Sequence, residues 1–197
     1  MLPTLMGSPS RRLTMKTVAV AVLLISMTLT SCMSRDDIIA ILTAKQARAE
    51  VGVINGSELL GVATFTQFDD TVALSIDIGG VAPGVYAVHI HENGDCSSPD
   101  GQSAGGHWNP TQVAHGRWGV GEFHLGDIGN ITIGKYGAGM IELETDLWEI
   151  GTGSDRDVVG KAIILHAGAD DFTSQPSGDA GARIGCGVIL LSEEVLE

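Results

Sequence analysis

The chain has 197 residues, 44% of them hydrophobic, which is enough for one well-buried core and an additional segment at one end. Its 24 acidic residues outnumber 11 basic ones for a formal net charge of -13, which argues against a nucleic-acid partner, because phosphate binding needs clustered Lys and Arg. Twenty-seven glycines and only 5% aromatics, with short apolar runs between the glycines, favour many short strands and turns over helices.

Residues 1–32 read as a leader. Lys16 precedes TVAVAVLLISMTLT (17–30), too short for a comfortable membrane span but suited to the apolar region of a secretory signal. The run ends in Leu29-Thr30-Ser31-Cys32, which resembles a bacterial lipoprotein signal in which the cysteine is lipidated and becomes the new N-terminus. An ordinary cleaved signal and a retained short anchor are the alternatives. Met15-Lys16 also makes a more natural start than Met1. Residues 33–46 read as a tether, and the expected location is the periplasm or cell envelope, with the domain held to a membrane through Cys32.

From residue 47 onward, period-two and short apolar runs alternate with turn signals. Strands are expected over 47–54 and 59–66, joined by a type I′ hairpin turn at Asn55-Gly56, then over 72–78 and 85–91. Further strands are expected over 130–133, 138–143, 159–166 and 187–191. Eight short strands predict an all-β fold, an eight-stranded antiparallel sandwich or barrel. Two connections, 92–129 and 167–184, are too long to be plain connectors and are read as functional loops.

His89 and His91 lie two apart on a predicted strand, so they face one side about 7 Å apart. Alone, such a pair also fits an exposed polar face; the other histidines decide. These are His107, His115, His124 and His166, and none of the six lies in the leader. Asp127 sits three residues beyond His124. His107, His115, His124 and Asp127 would fill a tetrahedral zinc site with nitrogen and oxygen donors. His89, His91 and His166 remain, a set suited to copper, and the count closes when one histidine is shared.

The motifs now become specific. HIHENGDC (89–96), GGHWNP (105–110), His115 eight residues beyond His107, FHLGDIGN (123–130), ILHAGADD (164–171) and GARIGCGVI (181–189) occur in one order. Together they resemble the copper/zinc superoxide dismutase family, and its exported bacterial branch in particular, from about residue 47 to 191. The resemblance implies a Greek-key fold and an enzyme that disproportionates superoxide. It implies copper on His89, His91, His107 and His166, and zinc on His107, His115, His124 and Asp127, with His107 bridging the two ions. On reduction the bridge to copper would break, leaving His107 to carry a proton towards the forming peroxide.

Asp170 matches a carboxylate that links one copper histidine to one zinc histidine, whereas Asp171 next door reads as a solvated loop residue. Arg183 matches an arginine beside copper that holds a small anion. Cys96 and Cys186 match an intrasubunit disulfide, which an exported chain can form, and Cys32 is then the odd cysteine. The resemblance leaves monomer and homodimer open. A metal carrier, a catalytically silent relative and a zinc-only sandwich docked on a membrane partner are the rival readings. Each leaves part of the set His89, His91, His107, His166 and Arg183 unexplained.

The charge distribution departs from the simplest expectation for an anionic substrate. All but two of the 24 acids (Asp36 and Asp37) lie from Glu50 onward, with only Arg117, Lys135, Arg156, Lys161 and Arg183 as cations there. Within the second long loop, residues 167–182 contain Asp170, Asp171 and Asp179 and no Lys or Arg. Substrate steering is therefore expected from Arg183, the metals, or a cation reached from elsewhere, such as Arg117 or Lys135.

Overall fold

Alternating side chains on nearly every run are satisfied in one way, by a sheet that curls on itself and puts every second residue inside. The computed structural model describes residues 44–56 and 58–192; the leader and most of the tether lie outside them. Within the described residues the strands are β1 (Lys45–Val53), β2 (Leu59–Phe68), β3 (Thr71–Gly79), β4 (Gly84–His91), β5 (Gly129–Ile133), β6 (Ala138–Thr145), β7 (Ala162–His166), β8 (Arg183–Val188) and β9 (Leu190–Leu191). Their order is β5-β4-β7-β8-β1-β2-β3-β6, with β9 also pairing β1, and all pairings are antiparallel. The two end strands, β5 and β6, are joined by a tight turn closed by the Gly134 N–H to Ala138 O bond, 2.9 Å. The sheet is thus a nearly closed Greek-key barrel, in which β3 to β4 and β6 to β7 are the crossing connections. β8 and β9 together fill the eighth position.

Inside lie Ala47, Ala49 and Val51 of β1, Phe65 of β2, Val72, Leu74, Ile76 and Ile78 of β3, and Ile163 and Leu165 of β7. Trp148 is fully buried, packs edge-on against Phe65 at 5.8 Å, and donates its indole N–H to Leu125 O at 2.9 Å. Burying one such large apolar side chain contributes roughly 1.5–3 kcal/mol. The indole bond also fastens the barrel to the first long loop.

Alternation fails at two places, and these locate the site. From Ala87 to His91 in β4, and throughout β7, every residue is buried. Val88, Ile90, Ile163 and Leu165 face the barrel core, while the opposite face carries His89, His91, Ala162, Ile164 and His166 beneath the two long loops. Polar residues on strands buried on both faces lose water as a hydrogen-bond partner, so the outward histidines must be satisfied by each other, by the loops or by a ligand.

Several strand ends differ from expectation by one or two residues, and four differences have a clear cause. β1 begins at Lys45, so the last two residues of the expected tether belong to the sheet. The β1–β2 connection is not a two-residue type I′ turn: Asn55 has φ 62°, Gly56 does not take a positive φ, and a bulge sits between Val51 and Gly52. β7 begins at Ala162 because Gly160, at φ 81°, turns the chain first. β8 begins at Arg183 rather than Gly187, since Gly185 is a strand residue that serves close approach: it pairs with Leu165, and a Cβ on it would crowd the side chains of Val51, Leu60 and Leu165. Arg183 is thereby a strand residue, paired with His166 across a bulge.

Candidate metal centre

The first long loop returns onto β4 through backbone bonds. Glu92 N–H donates to Gly106 O (3.0 Å), Asn93 N–H to Ala104 O (3.0 Å) and Trp108 N–H to Ile90 O (2.9 Å), so that His107 bridges His91 in the antiparallel sense. Cys96 and Cys186 form a disulfide with their Cα atoms 5.8 Å apart. Cys186 lies opposite Ile164 on the histidine face, and with Ala104, Ala162 and Ile164 it makes a small second core under the loop. The loop is therefore pinned on both sides of the imidazoles.

All six histidines are buried and form two groups that share His107. His89, His91, His107 and His166 place one ligand atom each within 4.8 Å of the others, and so do His107, His115, His124 and Asp127. Each ring is oriented by the nitrogen that faces away from its group. His89 Nε2 contacts Asp170 Oδ2 (2.9 Å), His91 Nδ1 contacts Gly105 O (3.0 Å) and His166 Nδ1 contacts Gly181 O (3.4 Å). On the other side His115 Nε2 contacts Asp170 Oδ1 (3.0 Å) and His124 Nε2 contacts Val113 O (3.1 Å). Asp170 thus spans the two groups with its two oxygens.

The inward nitrogens have no such partners. His89 Nδ1, His107 Nε2, His115 Nδ1 and His124 Nδ1 are buried with no well-aligned hydrogen bond, the last two lying beside the Asp127 carboxylate, and His91 Nε2 faces His166 Nε2 at 3.4 Å. Buried polar atoms are almost always paired, so four orphans converging in two places are lone pairs arranged for a shared ligand. Asp127 completes the second place, with Oδ1 2.7 Å from His107 Nδ1 and 3.1 Å from His124 Nδ1, and Oδ2 3.0 Å from His115 Nδ1. Imidazole and carboxylate donors in these numbers fit copper and zinc.

The protonation states of His91, His107 and His166 favour ligation. Burial, followed by repulsion between neighbouring rings and Arg183, pushes His91 down to about 2 and His166 to about 3, and burial brings His107 to about 4 against its bond to Asp127. These imidazoles are neutral at pH 7. Burial also lowers His115, but Asp127 and Asp170 outweigh it and raise that ring above its ordinary value. Burial opposes ionisation of both carboxyls, yet the rings around Asp127, and His115 and His89 beside Asp170, hold each well below the usual carboxylate range.

A cleft of about 460 Å³ opens onto both groups, lined among others by His91, His107, His124, His166, Gln175 and Arg183. Arg183 Nη1 and Nη2 donate to the carbonyls of Gly101 and Gly105, both at 2.7 Å, which fixes the fork at the rim. Arg183 is the one cation lining this cleft among the described residues. Arg117 and Lys135, the expected alternatives for steering, do not line it: Arg117 lies over the Phe172 ring at 4.2 Å and Lys135 over Tyr136 at 4.8 Å. Asp171 is exposed and caps its own turn, accepting from the Thr173 and Ser174 amides.

Three side-chain amides of the site escaped sequence reasoning. Asn109 pairs with both backbone groups of Val113, Asn130 with both of Asp170, and Gln175 with both of His115. Asn109 and Asn130 lie within two of the motifs, which was a usable signal; Gln175 carried none.

An antiparallel barrel bearing two adjoining nests of buried imidazoles, with one ring common to both, defines a β-barrel protein built to hold two metal ions side by side. Comparison with known proteins agrees. The model of the copper/zinc superoxide dismutase family matches residues 59–189. The chain is 37% identical over 134 residues to a copper/zinc superoxide dismutase of Caulobacter vibrioides, covering 66% of this chain and 77% of the relative. It is 33% identical over 157 residues to an extracellular copper/zinc superoxide dismutase of Caenorhabditis elegans, covering 76% and 69%. Among solved structures, a SOD-like protein from Bacillus subtilis superposes with a TM-score of 0.65 at 31% identity, covering 73% of this chain and 97% of that one. The chain belongs to the copper/zinc superoxide dismutase family.

Proposed function

We propose that this chain is an exported superoxide dismutase, converting two superoxide ions and two protons into dioxygen and hydrogen peroxide. The observation that carries the reading is the pair of four-ligand groups sharing His107, with the Arg183 fork on the cleft that opens onto them. His89, His91, His107 and His166 would hold copper, and His107, His115, His124 and Asp127 would hold zinc. Bound there, copper supplies the one-electron oxidation of one superoxide and the one-electron reduction of the next, while zinc supplies fixed positive charge.

The residues themselves do the rest. Arg183, with two N–H groups spent on backbone carbonyls, offers its remaining N–H groups and its charge to a small anion. His107 holds Nδ1 against Asp127 and presents an unpaired Nε2, the atom that would carry a proton to the departing peroxide. Asp170 keeps the rings of His89 and His115 in the tautomer that turns Nδ1 inward.

The reading extends to the whole chain: residues 1–32 as a signal ending in lipidation of Cys32, 33–46 as a tether, and the catalytic domain beyond, anchored in the periplasm or cell envelope. It is supported by the LTSC sequence, by a disulfide that uses the other two cysteines, and by the extracellular relative. Sedimentation of the full chain distinguishes monomer from homodimer. Metal content and dismutation rate of the unaltered protein, His91→Ala and Arg183→Ala provide the functional test. Strong loss in both variants is expected, and equal activity in all three contradicts the proposal.

A further inference from the structure

We propose that Gln175 is a positioning residue that sets how tightly the His107, His115, His124 and Asp127 pocket retains its metal; the inference rests on the two-metal reading above. His115 belongs to an irregular stretch, and among the described residues neither its N–H nor its carbonyl has a backbone partner. Both are met by one side chain from 60 residues away. Gln175 Oε1 accepts the His115 N–H at 2.9 Å, and Gln175 Nε2 donates to His115 O at 2.9 Å. The amide thereby imitates the paired bonds of a β-bridge.

The ring of the same histidine is held from the same loop, by Asp170 Oδ1 at 3.0 Å. His115 is therefore positioned at backbone and ring by the second long loop. Gly178, at φ 69°, leaves the space this needs, since a Cβ there would fall on Asp170 Oδ1 and His115 Nε2. Removing the Gln175 amide takes away the one protein partner, among the described residues, of both the His115 N–H and its carbonyl and frees the backbone that aims His115 Nδ1. Partners that orient a ligand from outside typically change metal affinity by about 10- to 100-fold when lost.

The test uses the full chain loaded with copper and either zinc or cobalt(II), comparing the unaltered protein with Gln175→Ala, Gln175→Glu and Gln67→Ala. Gln67 accepts from Ile150 N–H at 3.0 Å, a comparable side-chain bond outside the metal-lined cleft, and serves as the structural control. Zinc release to a chromogenic chelator is expected to be about 10- to 100-fold faster in Gln175→Ala, with an altered cobalt visible spectrum and intact copper content. Gln175→Glu keeps the acceptor for His115 N–H and is expected to fall between; it also serves if the alanine variant does not fold. Gln67→Ala should lower thermal stability without changing release. Release from Gln175→Ala within about two-fold of the unaltered protein, or equal acceleration in Gln67→Ala, overturns the proposal. Failure of the unaltered protein to take up cobalt or zinc would instead reject the two-metal reading.

Discussion

His91 and Arg183 donate to the same atom. His91 Nδ1 lies 3.0 Å and Arg183 Nη2 2.7 Å from the carbonyl oxygen of Gly105, so a ring of the first pocket and the cation at its mouth share one reference point. Lysine has the charge but not the fork, and it cannot hold Gly101 and Gly105 together. Arg183→Ala is expected to lower kcat/KM by roughly 10- to 100-fold, the worth of one or two charge-assisted hydrogen bonds. Arg183→Lys should fall between alanine and arginine. Steady-state dismutation assays at matched copper content check this, and a lysine variant as poor as alanine would show that geometry, not charge, dominates.

The disulfide joins positions 90 residues apart and closes the loop that carries His107, His115 and His124. Replacing Cys96 and Cys186 by Ser is expected to lower unfolding free energy by roughly 2–5 kcal/mol, partly through a freer unfolded chain. Urea unfolding of the metal-free protein measures it. The same variant should lose metal faster, because the second small core beneath the loop opens.

Acid stability has a separate local source. Hydrogen bonds from Ser154, Arg156 and Thr152 lower Glu149 from the ordinary 4.5 to about 2. A carboxyl depressed on folding stabilises above its unfolded pKa, and that contribution is lost as pH falls through the folded value. The stability difference between the unaltered protein and Glu149→Gln should therefore be full above about pH 5 and vanish towards pH 2. Thermal melts across this range decide, and a difference that persists at pH 2 would place the effect outside the carboxylate.

Salt dependence follows from what lines the cleft. With Arg183 as the one cation there and Arg117, Lys135, Arg156 and Lys161 engaged elsewhere, long-range attraction of an anion is weak. Raising ionic strength from about 0.01 to 0.15 M shrinks the Debye length from roughly 30 to 8 Å. The dismutation rate is expected to fall less than about two-fold over that range; a fall of ten-fold or more would demand a steering cation that the cleft does not contain.

Much of the fold was legible because β3 and β1 alternate cleanly, with Val72, Leu74, Ile76 and Ile78 buried and the residues between them less so. The clustering of the six histidines and Asp127 on one face was legible through the motifs. The start of β8 was not, because Gly185 reads as a loop residue when it is a strand residue admitting close neighbours. That Arg117 lies off the cleft was not legible for a three-dimensional reason, since its stacking on Phe172 joins residues 55 positions apart. Gln175 was invisible for the same reason: one amide in a loop has no periodicity, and its meaning lies in two bonds to a residue 60 positions away.

The central claim is that two ions sit on either side of His107. Anomalous diffraction collected at the copper and zinc absorption edges of the metal-loaded chain tests it directly. The account predicts a copper peak among His89, His91, His107 and His166 and a separate zinc peak among His107, His115, His124 and Asp127. A single peak, or both metals in one pocket with the other lined by unligated rings, would contradict it.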